Sequence, residues 1–600
     1  MTPLFSQLHR LADQYRDHIA YRDDQRQLSY GEWLERAARQ AEVLLKLGIT
    51  PGSRLVFYSD DPLMIVVGYA ACFQIGAVCV PIDAQAPVSR VIEVAADCDA
   101  AGYFVSANKL AALRSVVPAD KPILCPAWEE EAEQVHGQSG SEADAALLPD
   151  VGQLSEVEPA IIFYTSGSTG RPKGVMIPQQ SVLIFMQWGR EEFRTGPHDV
   201  FFCHASMHFD MSLFALFVSV AGGSVCVLPS PQSRTNPAYL LRMIKQNKVN
   251  ILHLVPSAMN LILQSCDTEI QVDSVRAVIF SGEPLPSKLL PGIRRLLPGA
   301  RIVNIYGSTE TNDAFLYEVP PDHDSSQPVP IGRPFPHVTA LVLDQQQQPC
   351  AEGEAGELYI CSATSMSSYV GIEPSETFIS VQGYDGWYYP TRDLVKVENG
   401  LYHYVGRKDN MVKLNGLRVD LGQVERVLIS HPAVREAAVV VRRQGERQLL
   451  VAVLVTDQQD RDTLSGIALR AYCAEHLPKQ SIPSRYLIRF EPLPKTSTGK
   501  VDRAAIREEL SAAPAFSIGK TELKQYMVTR FLPGESVESL PDDYHLIENG
   551  VIDSLGLVGI AVYLEERLGV EIGEEEITPE HFASIERIIY FLKRKGWYAA

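Results

Sequence analysis

The chain has 600 residues, of which 46% are hydrophobic, and it carries a formal net charge of −19 at pH 7. At about 150 residues per domain, this length and composition predict several domains with substantial cores and exclude disorder on a large scale. The acidic balance argues against nucleic-acid binding, because that function needs a concentrated basic surface.

The N-terminal segment MTPLFSQLHRLADQYRD mixes charge with apolar spacing and lacks the cationic start and small-residue cleavage site of an export signal. The ten cysteines include no C-x-x-C pair, which favours reduced thiols over a disulfide framework or a zinc site. We therefore expect a cytoplasmic protein.

The segment 63–82, LMIVVGYAACFQIGAVCVPI, is long and apolar enough to raise a membrane span. Gly76 and the β-branched residues after it mark a change of element. We favour a buried helix to about Gly76, followed by a strand, and expect no membrane insertion. A span remains the alternative.

Up to about residue 400, helical patterns alternate with short β-branched runs, which is typical of α/β layers. The runs are RLVFYS, AVCVPI, AIIFYTS, SVCVLPS, ILHLVPS, AVIFSG and RIVNIYG. From TALVLD to GLYHYVG, turns replace most helices and indicate a smaller β-rich subdomain. We place one large region at 1–408 and a compact α+β unit at 409–510.

Residues 511–520, SAAPAFSIGK, are small and nearly uncharged, so they predict a linker. From 541 onward there are twelve acidic residues against five basic ones, and SLGLVGIAVYLEERL has helical spacing. Residues 521–600 are therefore predicted to form a small acidic helix bundle.

The segment 164–174, YTSGSTGRPKG, follows the strand-like run IIFY and has the composition of a phosphate site. Its backbone N–H groups, its hydroxyls and the ammonium of Lys173 can all converge on an anion. It is not a Walker loop, because Lys173 follows a proline and precedes a glycine. A solvated Gly/Ser linker is the alternative.

Four further segments accompany this loop: YGSTET (306–311), TRDLV (391–395), GRKDNMVKLNGLRVDLGQVE (406–425) and PKTSTGK (494–500). In this order and at these separations, the five segments resemble the adenylate-forming enzymes, specifically the adenylation domains of nonribosomal peptide synthetases. The resemblance covers nearly all of residues 1–510. It implies a large multi-sheet α/β region followed by a small mobile α+β subdomain.

The resemblance implies that the loop binds the β- and γ-phosphates of ATP while a substrate carboxylate attacks the α-phosphorus. The loop residues in this role are Thr165, Ser166, Gly167, Ser168, Thr169, Gly170 and Lys173. Glu310 would hold Mg²⁺ and Thr309 would contact the α-phosphate. Tyr306 would stack on adenine, and Gly307 and Ser308 belong to the same motif.

Asp393 would accept hydrogen bonds from both ribose hydroxyls, and Arg407 would pair with the same nucleotide. Lys500 would stabilise charge that grows in the transition state. A lone lysine is usually solvated, but PKTST before it and VDR after it match the family's final motif. Asp409 occupies the family's hinge position, with a plain turn residue as the alternative.

The chain departs from the family at two places. Thr391, Arg392 and Asp393 stand where the family usually shows Thr-Gly-Asp, which puts a bulky cation beside the ribose site. The stretch ICSATSMSSYVG, residues 360–371, lacks glycines that are common there. Neither change removes a catalytic group.

Ser554 follows Asp553 at the start of an apolar-periodic helix, where an N-cap is the common use of serine. In an acidic bundle after an adenylation domain, Asp-Ser-Leu resembles the 4′-phosphopantetheine attachment site of an all-α, four-helix carrier domain. A phosphopantetheinyl transferase would attach the arm, and its thiol would attack the adenylate. Downstream condensation, tailoring or transfer enzymes would take the product.

The segment 208–214, HFDMSLF, resembles the place where amino-acid-activating members set an aspartate, here Asp210, against the substrate ammonium. A solvated or capping aspartate is the alternative. The other pocket positions are Met211, Phe214, His253, Ile279, Ser281, Ile305, Asp313 and Ala314. Their polar groups favour a small polar substrate, because unpaired buried polar groups reject apolar ones.

The pocket is similar to serine-selecting ones, although Asp313 sits one place earlier than their acid, which keeps threonine and 2,3-diaminopropionate open. The sequence therefore predicts ATP-dependent activation of a small polar L-amino acid, first L-serine, and loading onto the fused carrier in nonribosomal peptide or antibiotic biosynthesis. A carboxylate–CoA ligase with an accessory carrier is one alternative. A non-catalytic nucleotide-binding scaffold, supported by Arg392, is the other.

Overall fold

The chain is described by a computed structural model over residues 2–126, 128, 134–136, 158–166, 172–266, 269–408, 411–414, 417–444, 447–456, 464, 466–494, 501–512, 518–532, 535–552, 554–568, 572–573, 576–595 and 598–599. It divides into two compact units, residues 1–419 and 420–600. The boundary expected after residue 408 stays a prediction. All ten cysteines lie within the described residues and are free thiols.

The helices of unit 1 are α1 (Pro3–Gln14), α2 (Tyr30–Lys46), α3 (Pro62–Ile75), α4 (Val88–Asp97), α5 (Ala107–Arg114), α6 (Gln179–Phe193), α7 (Ser219–Gly222), α8 (Pro237–Gln246), α9 (Pro256–Ser265), α10 (Leu290–Leu296) and α11 (Pro374–Thr377). Its strands up to the phosphate-loop hairpin are β1 (Ile19–Arg22), β2 (Gln27–Ser29), β3 (Arg54–Tyr58), β4 (Val78–Pro81), β5 (Gly102–Val105), β6 (Ile123–Cys125), β7 (Gln134–His136), β8 (Pro159–Ser166) and β9 (Pro172–Pro178).

The later strands of unit 1 are β10 (Val200–Cys203), β11 (Val225–Val227), β12 (Ile251–Leu254), β13 (Ala277–Phe280), β14 (Arg301–Ser308), β15 (Asn312–Glu318), β16 (Arg333–Pro334), β17 (Val338–Leu343), β18 (Gly356–Ser362), β19 (Ser368–Tyr369), β20 (Tyr389–Glu398), β21 (Leu401–Arg407) and β22 (Met411–Leu414). Strand β23 (Leu417–Asp420) pairs with β22 where the chain passes from unit 1 to unit 2. Every strand run predicted for the first 400 residues overlaps one of these strands.

Three large sheets lie in the described part of unit 1, in addition to the short pair β22–β23. The nine-stranded sheet has the order β16-β15-β14-β13-β12-β10-β11-β1-β2, and β10 to β14 run parallel. The eight-stranded sheet has the order β19-β9-β8-β4-β3-β5-β6-β7, and the four-stranded antiparallel sheet has the order β17-β18-β20-β21. Ligands of α/β sheets bind beyond the carboxyl ends of parallel strands, so these ends frame the candidate site.

Helix α3 shows why the apolar segment 63–82 stays inside the protein. Its N-terminus is capped by the side chain of Asp61, every residue of the helix is buried, and Gly76 ends it at φ 76°. Only glycine adopts this left-handed conformation without a steric cost, and strand β4 follows. The prediction of a buried helix and then a strand is confirmed. Among the described residues, none of the helices combines the length and apolarity of a membrane span.

The first part of unit 2 contains α12 (Leu421–Ile429), α13 (Gly466–His476) and α14 (Arg503–Ala512), with β24 (Glu436–Gln444), β25 (Arg447–Val455) and β26 (Arg485–Arg489) in one sheet. The Asp420 side chain caps α12 by accepting the Gly422 N–H at 2.8 Å. Ile506 of α14 is buried in one core with Val440 and Val451 of the sheet. These elements match the predicted α+β unit.

The second part of unit 2 contains β27 (Ile518–Gly519), α15 (Lys520–Phe531), α16 (Ser554–Leu568), α17 (Pro579–Phe582), α18 (Ile585–Lys595) and β28 (Tyr598–Ala599). A separate core, with Leu523, Leu564 and Ile588, lies between the helices. The prediction of an exclusively helical bundle is corrected by the parallel pair β27–β28. Helix α14 continues to Ala512 and α15 begins at Lys520, at the two ends of the predicted linker 511–520, whose bounds stay a prediction.

Candidate functional site

The hairpin β8–β9 carries the predicted phosphate loop. Thr165 and Lys173 are opposite partners in this pair, so the hydroxyl-bearing and ammonium-bearing ends of the loop start from neighbouring positions. Ser166 ends β8. Gly167, Ser168, Thr169 and Gly170 lie outside the described residues.

Lys173 and Glu310 both contact the side chain of Tyr369. Lys173 Nζ lies 5.0 Å from the centroid of the Tyr369 ring, and Tyr369 Oη donates a hydrogen bond to Glu310 Oε1 at 3.0 Å. Glu310 follows β14 in the nine-stranded sheet, whereas Lys173 and Tyr369 lie on β9 and β19 of the eight-stranded sheet. The arrangement places a cation and a buried carboxylate together, as binding of an anion and a hard metal ion requires.

The turn between β14 and β15 holds the remaining residues of the YGSTE motif. Ser308 Oγ lies 3.2 Å from Thr311 Oγ1, and Thr309 between them is half-buried. The Glu310 carbonyl accepts the Met366 N–H at 2.9 Å. This bond ties the turn to the glycine-poor segment 360–371. The lack of glycines in that segment therefore leaves an ordered support for Glu310.

Asp393 is held by two donors. Tyr306 Oη donates to Asp393 Oδ2 at 2.5 Å, and Arg407 Nη1 donates to Oδ1 at 2.7 Å. Burial and the Asp393 charge raise the pKa of Tyr306 well above its usual value, so its hydroxyl keeps the proton that it donates. A carboxylate oxygen has two lone pairs, so each Asp393 oxygen can accept a second hydrogen bond beside the one from Tyr306 or Arg407.

Arg392 explains how a bulky residue is accommodated next to Asp393. Its backbone has φ 61°, and its side chain is exposed. The left-handed conformation is the one that glycine adopts most easily, which accounts for the glycine usual here in the family. A non-glycine residue costs about 1–2 kcal/mol in this conformation, but the hydrogen bonds of Asp393 remain in place.

The predicted substrate pocket gathers at the carboxyl ends of β12 and β13. His253 and Ile279 are direct partners in the sheet, and Ser281 follows β13. His253 Nε2 lies 2.7 Å from Ser281 Oγ, and the Phe214 ring meets the His253 ring edge-on at 5.2 Å. Burial lowers the pKa of His253 to about 3, so the ring is neutral near pH 7.

The remaining predicted pocket positions described by the structure are mostly apolar. Ile279, Ile305 and Ala314 are buried, whereas Met211 and Asp313 are half-buried. Asp313 on β15 is opposite Gly307 of the YGSTE motif, which places the pocket beside the candidate nucleotide residues. The structure therefore brings His253, Ile279 and Ser281 together at the carboxyl ends of β12 and β13, with Phe214 packed against His253.

Asp210 lies in the segment between β10 and α7. It is half-buried, its Oδ1 accepts the Met211 N–H at 2.9 Å, and its carbonyl accepts the Leu213 N–H. The chain then forms a π-helical turn over Phe214–Val218. Such turns are frequent at functional sites, and the sequence pattern did not predict this one.

Besides the four loop residues, three more predicted positions are placed only in part or not at all. Lys500 and Asp409 lie outside the described residues. Ser554 is the first residue of α16, as predicted, but its side chain is not among the described ones.

Tyr369 and the residues that line a partly open cavity were not predicted as site residues from the sequence. The cavity, of about 260 Å³, is lined by residues including Asp83, Ser206, His208 and Arg234. Ser206 Oγ lies 2.8 Å from His208 Nδ1, and burial lowers the pKa of His208 to about 4. None of its lining residues belongs to the predicted nucleotide or substrate set.

The sequence signal for Tyr369 is that it lies in the glycine-poor segment 360–371.

Known families and proteins match most of the chain. The AMP-binding enzyme family matches residues 8–370, and the AMP-binding enzyme C-terminal domain matches residues 423–500. An L-proline–[L-prolyl-carrier protein] ligase of Pseudomonas fluorescens is 34% identical over 517 residues, covering 84% of this chain and 98% of the relative.

Tyrocidine synthase 3 of Brevibacillus parabrevis is 32% identical over 83% of this chain and 8% of its own length. The adenylation domain AlmE of Vibrio cholerae, solved with glycyl-adenosine-5′-phosphate, is 22% identical, covers 86% of this chain and 98% of that one, and has a TM-score of 0.74. This last likeness shows the fold. The chain belongs to the AMP-binding enzymes, the adenylate-forming superfamily, and is homologous to nonribosomal peptide synthetase adenylation domains and to prolyl-carrier-protein ligases.

Proposed function

We propose that this chain activates a small amino acid with ATP and transfers the aminoacyl group to the thiol of a carrier protein. The observation that carries the proposal is that Tyr369 contacts both the Lys173 ammonium and the buried Glu310 carboxylate, which come from two different sheets. Similarity to a prolyl-carrier ligase over 98% of its length supports the reaction class.

In the first step, a carboxylate oxygen of the amino acid attacks the α-phosphorus of ATP. The bond from that phosphorus to the bridging oxygen breaks, and pyrophosphate leaves. Lys173 and the loop hydroxyls bind the leaving phosphates, Thr309 contacts the α-phosphate, and Lys500 approaches the reacting oxygens. In the second step, a thiol loses its proton, its sulfur attacks the acyl carbon, and AMP leaves.

The nucleoside part of ATP is assigned to Tyr306, Asp393 and Arg407. Asp393 keeps acceptor capacity for both ribose hydroxyls, because its present donors occupy one position on each oxygen. Arg407 keeps the carboxylate charged and in place. The adenine ring is assigned to the face of Tyr306.

Glu310 is a fitting ligand for Mg²⁺. It is a buried carboxylate, and oxygen ligands of this kind are what Mg²⁺ prefers beside phosphate groups. Its Oε1 accepts the Tyr369 hydroxyl, so the carboxylate is oriented before a metal binds. When bound, Mg²⁺ supplies charge neutralisation on the phosphates.

The amino acid is assigned to the pocket beside Asp210, whose carboxylate faces the substrate ammonium in this proposal. The neutral His253 and Ser281 form a buried polar pair that has capacity for a further hydrogen bond. A substrate hydroxyl satisfies that capacity and an apolar side chain does not. L-Serine is therefore our first choice. Threonine and 2,3-diaminopropionate remain within the proposal because of Asp313.

The carrier step is assigned to residues 521–600, with 4′-phosphopantetheine on Ser554. The support is the position of Ser554 at the first turn of α16 in a helix cluster that has its own core. A phosphopantetheinyl transferase and a later acyl-accepting enzyme are the partners that this assignment needs. Asp409 is assigned to the hinge between residues 1–408 and 409–510.

ATP–pyrophosphate exchange tests the proposal. Wild-type protein is incubated with labelled pyrophosphate, MgATP and, in turn, serine, threonine, 2,3-diaminopropionate, proline, alanine, glycine and short carboxylic acids. We expect exchange with serine above all others. Exchange with non-amino acids alone favours a carboxylate–CoA ligase and removes the role of Asp210. Nucleotide binding without exchange with any acid favours a non-catalytic scaffold.

A further inference from the structure

Tyr369 lies where the three sheets of unit 1 meet. It belongs to β19 of the eight-stranded sheet, and its hydroxyl contacts Glu310 beyond β14 of the nine-stranded sheet. The same hydroxyl lies 3.1 Å from Tyr389 Oη at the start of β20 in the four-stranded sheet. All three residues are buried, with 9% or less of their surface exposed.

The direction of this hydrogen-bond chain follows from the chemistry of its members. An ionised carboxylate only accepts, so the single Tyr369 proton goes to Glu310 Oε1. The Tyr369 oxygen then accepts, and Tyr389 is the donor. The chain therefore runs from the Tyr389 hydroxyl through the Tyr369 hydroxyl to the Glu310 carboxylate.

The ring of Tyr369 has a second contact. Lys173 Nζ lies 5.0 Å from the ring centroid, within the range of a cation–π interaction. The Tyr369 ring thus contacts the ammonium that is assigned to the phosphates. Its hydroxyl contacts the carboxylate that is assigned to the metal ion. Tyr369 on β19 is paired with Val175 on β9, two residues after Lys173. This pairing fixes the distance between the two strands.

We infer that Tyr369 is a positioning residue of the adenylation site, which orients Glu310 for the metal ion with its hydroxyl and holds Lys173 beside it with its ring. Tyr389 supports this function through the Tyr369 oxygen. The inference rests on the proposed function, since it assigns the two positioned groups to MgATP.

The two contacts are separable by substitution. Tyr369→Phe keeps the ring under Lys173 and removes the hydroxyl. Tyr369→Leu removes both. Tyr389→Phe removes the hydroxyl that donates to the Tyr369 oxygen. Tyr21→Phe is the matched control, because Tyr21 is equally buried and donates to the Leu216 carbonyl at 3.1 Å, far along the nine-stranded sheet.

The test measures Mn²⁺ binding to the full chain with ATP by electron paramagnetic resonance, and the Mg²⁺ concentration that gives half-maximal pyrophosphate exchange. Loss of a hydrogen bond to a charged group predicts that Tyr369→Phe weakens Mn²⁺ binding and raises the half-maximal Mg²⁺ concentration about tenfold. Tyr389→Phe should shift both in the same direction by less, and Tyr21→Phe should shift neither. Tyr369→Leu should in addition raise the KM for ATP.

A double variant removes a purely structural explanation. In Glu310→Gln, the carboxylate that Tyr369 orients is gone, so adding Tyr369→Phe should cause no further loss of Mn²⁺ binding. Additive losses, or unchanged Mn²⁺ and Mg²⁺ responses in Tyr369→Phe, would overturn the inference. If wild type catalyses exchange and the Mn²⁺ and Mg²⁺ responses of Tyr369→Phe are unchanged, only this inference is refuted. Absence of exchange in wild type refutes the proposed function.

Discussion

The hydroxyl of Tyr306 donates a hydrogen bond to the Asp393 carboxylate at 2.5 Å and so joins strand β14 of one sheet to β20 of another. Arg407 completes the contact from β21, where it is the direct partner of Asp393. The side chains of Asp393 and Arg407 are 3% and 7% exposed, so water screens their ion pair very little. The carboxylate assigned to the ribose is thus fixed before a nucleotide binds.

Replacing Arg407 tests this fixation. Arg407→Ala leaves a buried carboxylate without its cation, which predicts a loss of about 3–5 kcal/mol in the free energy of unfolding. It should also raise the KM for ATP at least about tenfold, because Asp393 loses its orientation. Urea unfolding and exchange kinetics measure the two effects. Arg276→Ala, which breaks the more exposed pair with Asp199, should lower stability with the KM for ATP unchanged; a raised KM there would contradict the account.

Replacing Arg392 should stabilise the protein. Arg392→Gly removes the steric cost of φ 61°, which predicts a gain of about 1 kcal/mol in the free energy of unfolding with the KM for ATP near its wild-type value. Asn399→Gly, at φ 53°, is the comparison and should gain less because asparagine tolerates this conformation. Chemical denaturation measures both, and a destabilised Arg392→Gly protein would show that the arginine side chain contributes contacts.

Replacing Ser281 tests the pocket. Ser281→Ala leaves His253 without the partner at 2.7 Å and removes capacity for a substrate hydroxyl. The ratio of kcat/KM for serine to that for alanine should fall about tenfold or more. Ser257→Ala, in the neighbouring helix α9, is a control that should keep the ratio. An unchanged ratio in Ser281→Ala would show that the His253–Ser281 pair does not select the substrate.

His253 should also contribute to acid lability. Its pKa is lowered to about 3 in the folded chain by burial, below the usual value near 6.5 that it regains on unfolding. The unfolded state therefore binds more protons between these values, and stability is lost as pH falls from about 6.5 toward 3, by at most about 1.4 kcal/mol per pH unit for this group. His204 and His208, whose pKa values burial lowers to about 4, contribute in the same direction. His253→Gln should show a shallower decline in unfolding free energy over this range, and an identical decline would contradict the assignment.

Ser554 is tested by intact mass. Incubation of the full chain with CoA and a phosphopantetheinyl transferase should add one phosphopantetheine to wild type and none to Ser554→Ala. Adding MgATP and serine should then add one seryl group to the modified wild type. The same addition on Ser554→Ala, or no addition on wild type, would remove the carrier assignment.

Much of the fold followed from local patterns. Helix α3 ends at Gly76 because a glycine in the left-handed conformation precedes a β-branched strand, and α16 has the bounds that its apolar spacing predicted. These features depend on neighbouring residues alone. Likewise, Lys173, Glu310, Asp393 and Arg407 were selected from short motifs, and the structure places them in two clusters.

What the sequence did not predict depends on contacts between distant residues. Tyr369 is 59 residues from Glu310 and meets it only because three sheets converge. The π-helical turn at Phe214–Val218 and the pair β27–β28 have no local pattern that distinguishes them from ordinary helix and linker. Arg392 was identified from the sequence as a bulky cation beside the ribose site, but its exposed side chain and left-handed backbone could not be predicted from residue types.

The proposed function requires that carboxyl groups are adenylated at the site around Glu310. Single-turnover formation of aminoacyl-AMP from MgATP and serine, compared between wild type and Glu310→Gln, tests it most directly. We expect wild type to form the adenylate and the variant to be at least about a hundredfold slower, since the charge that holds the metal ion is lost. Equal rates in the two proteins, or no adenylate from wild type with any amino acid, would contradict the account.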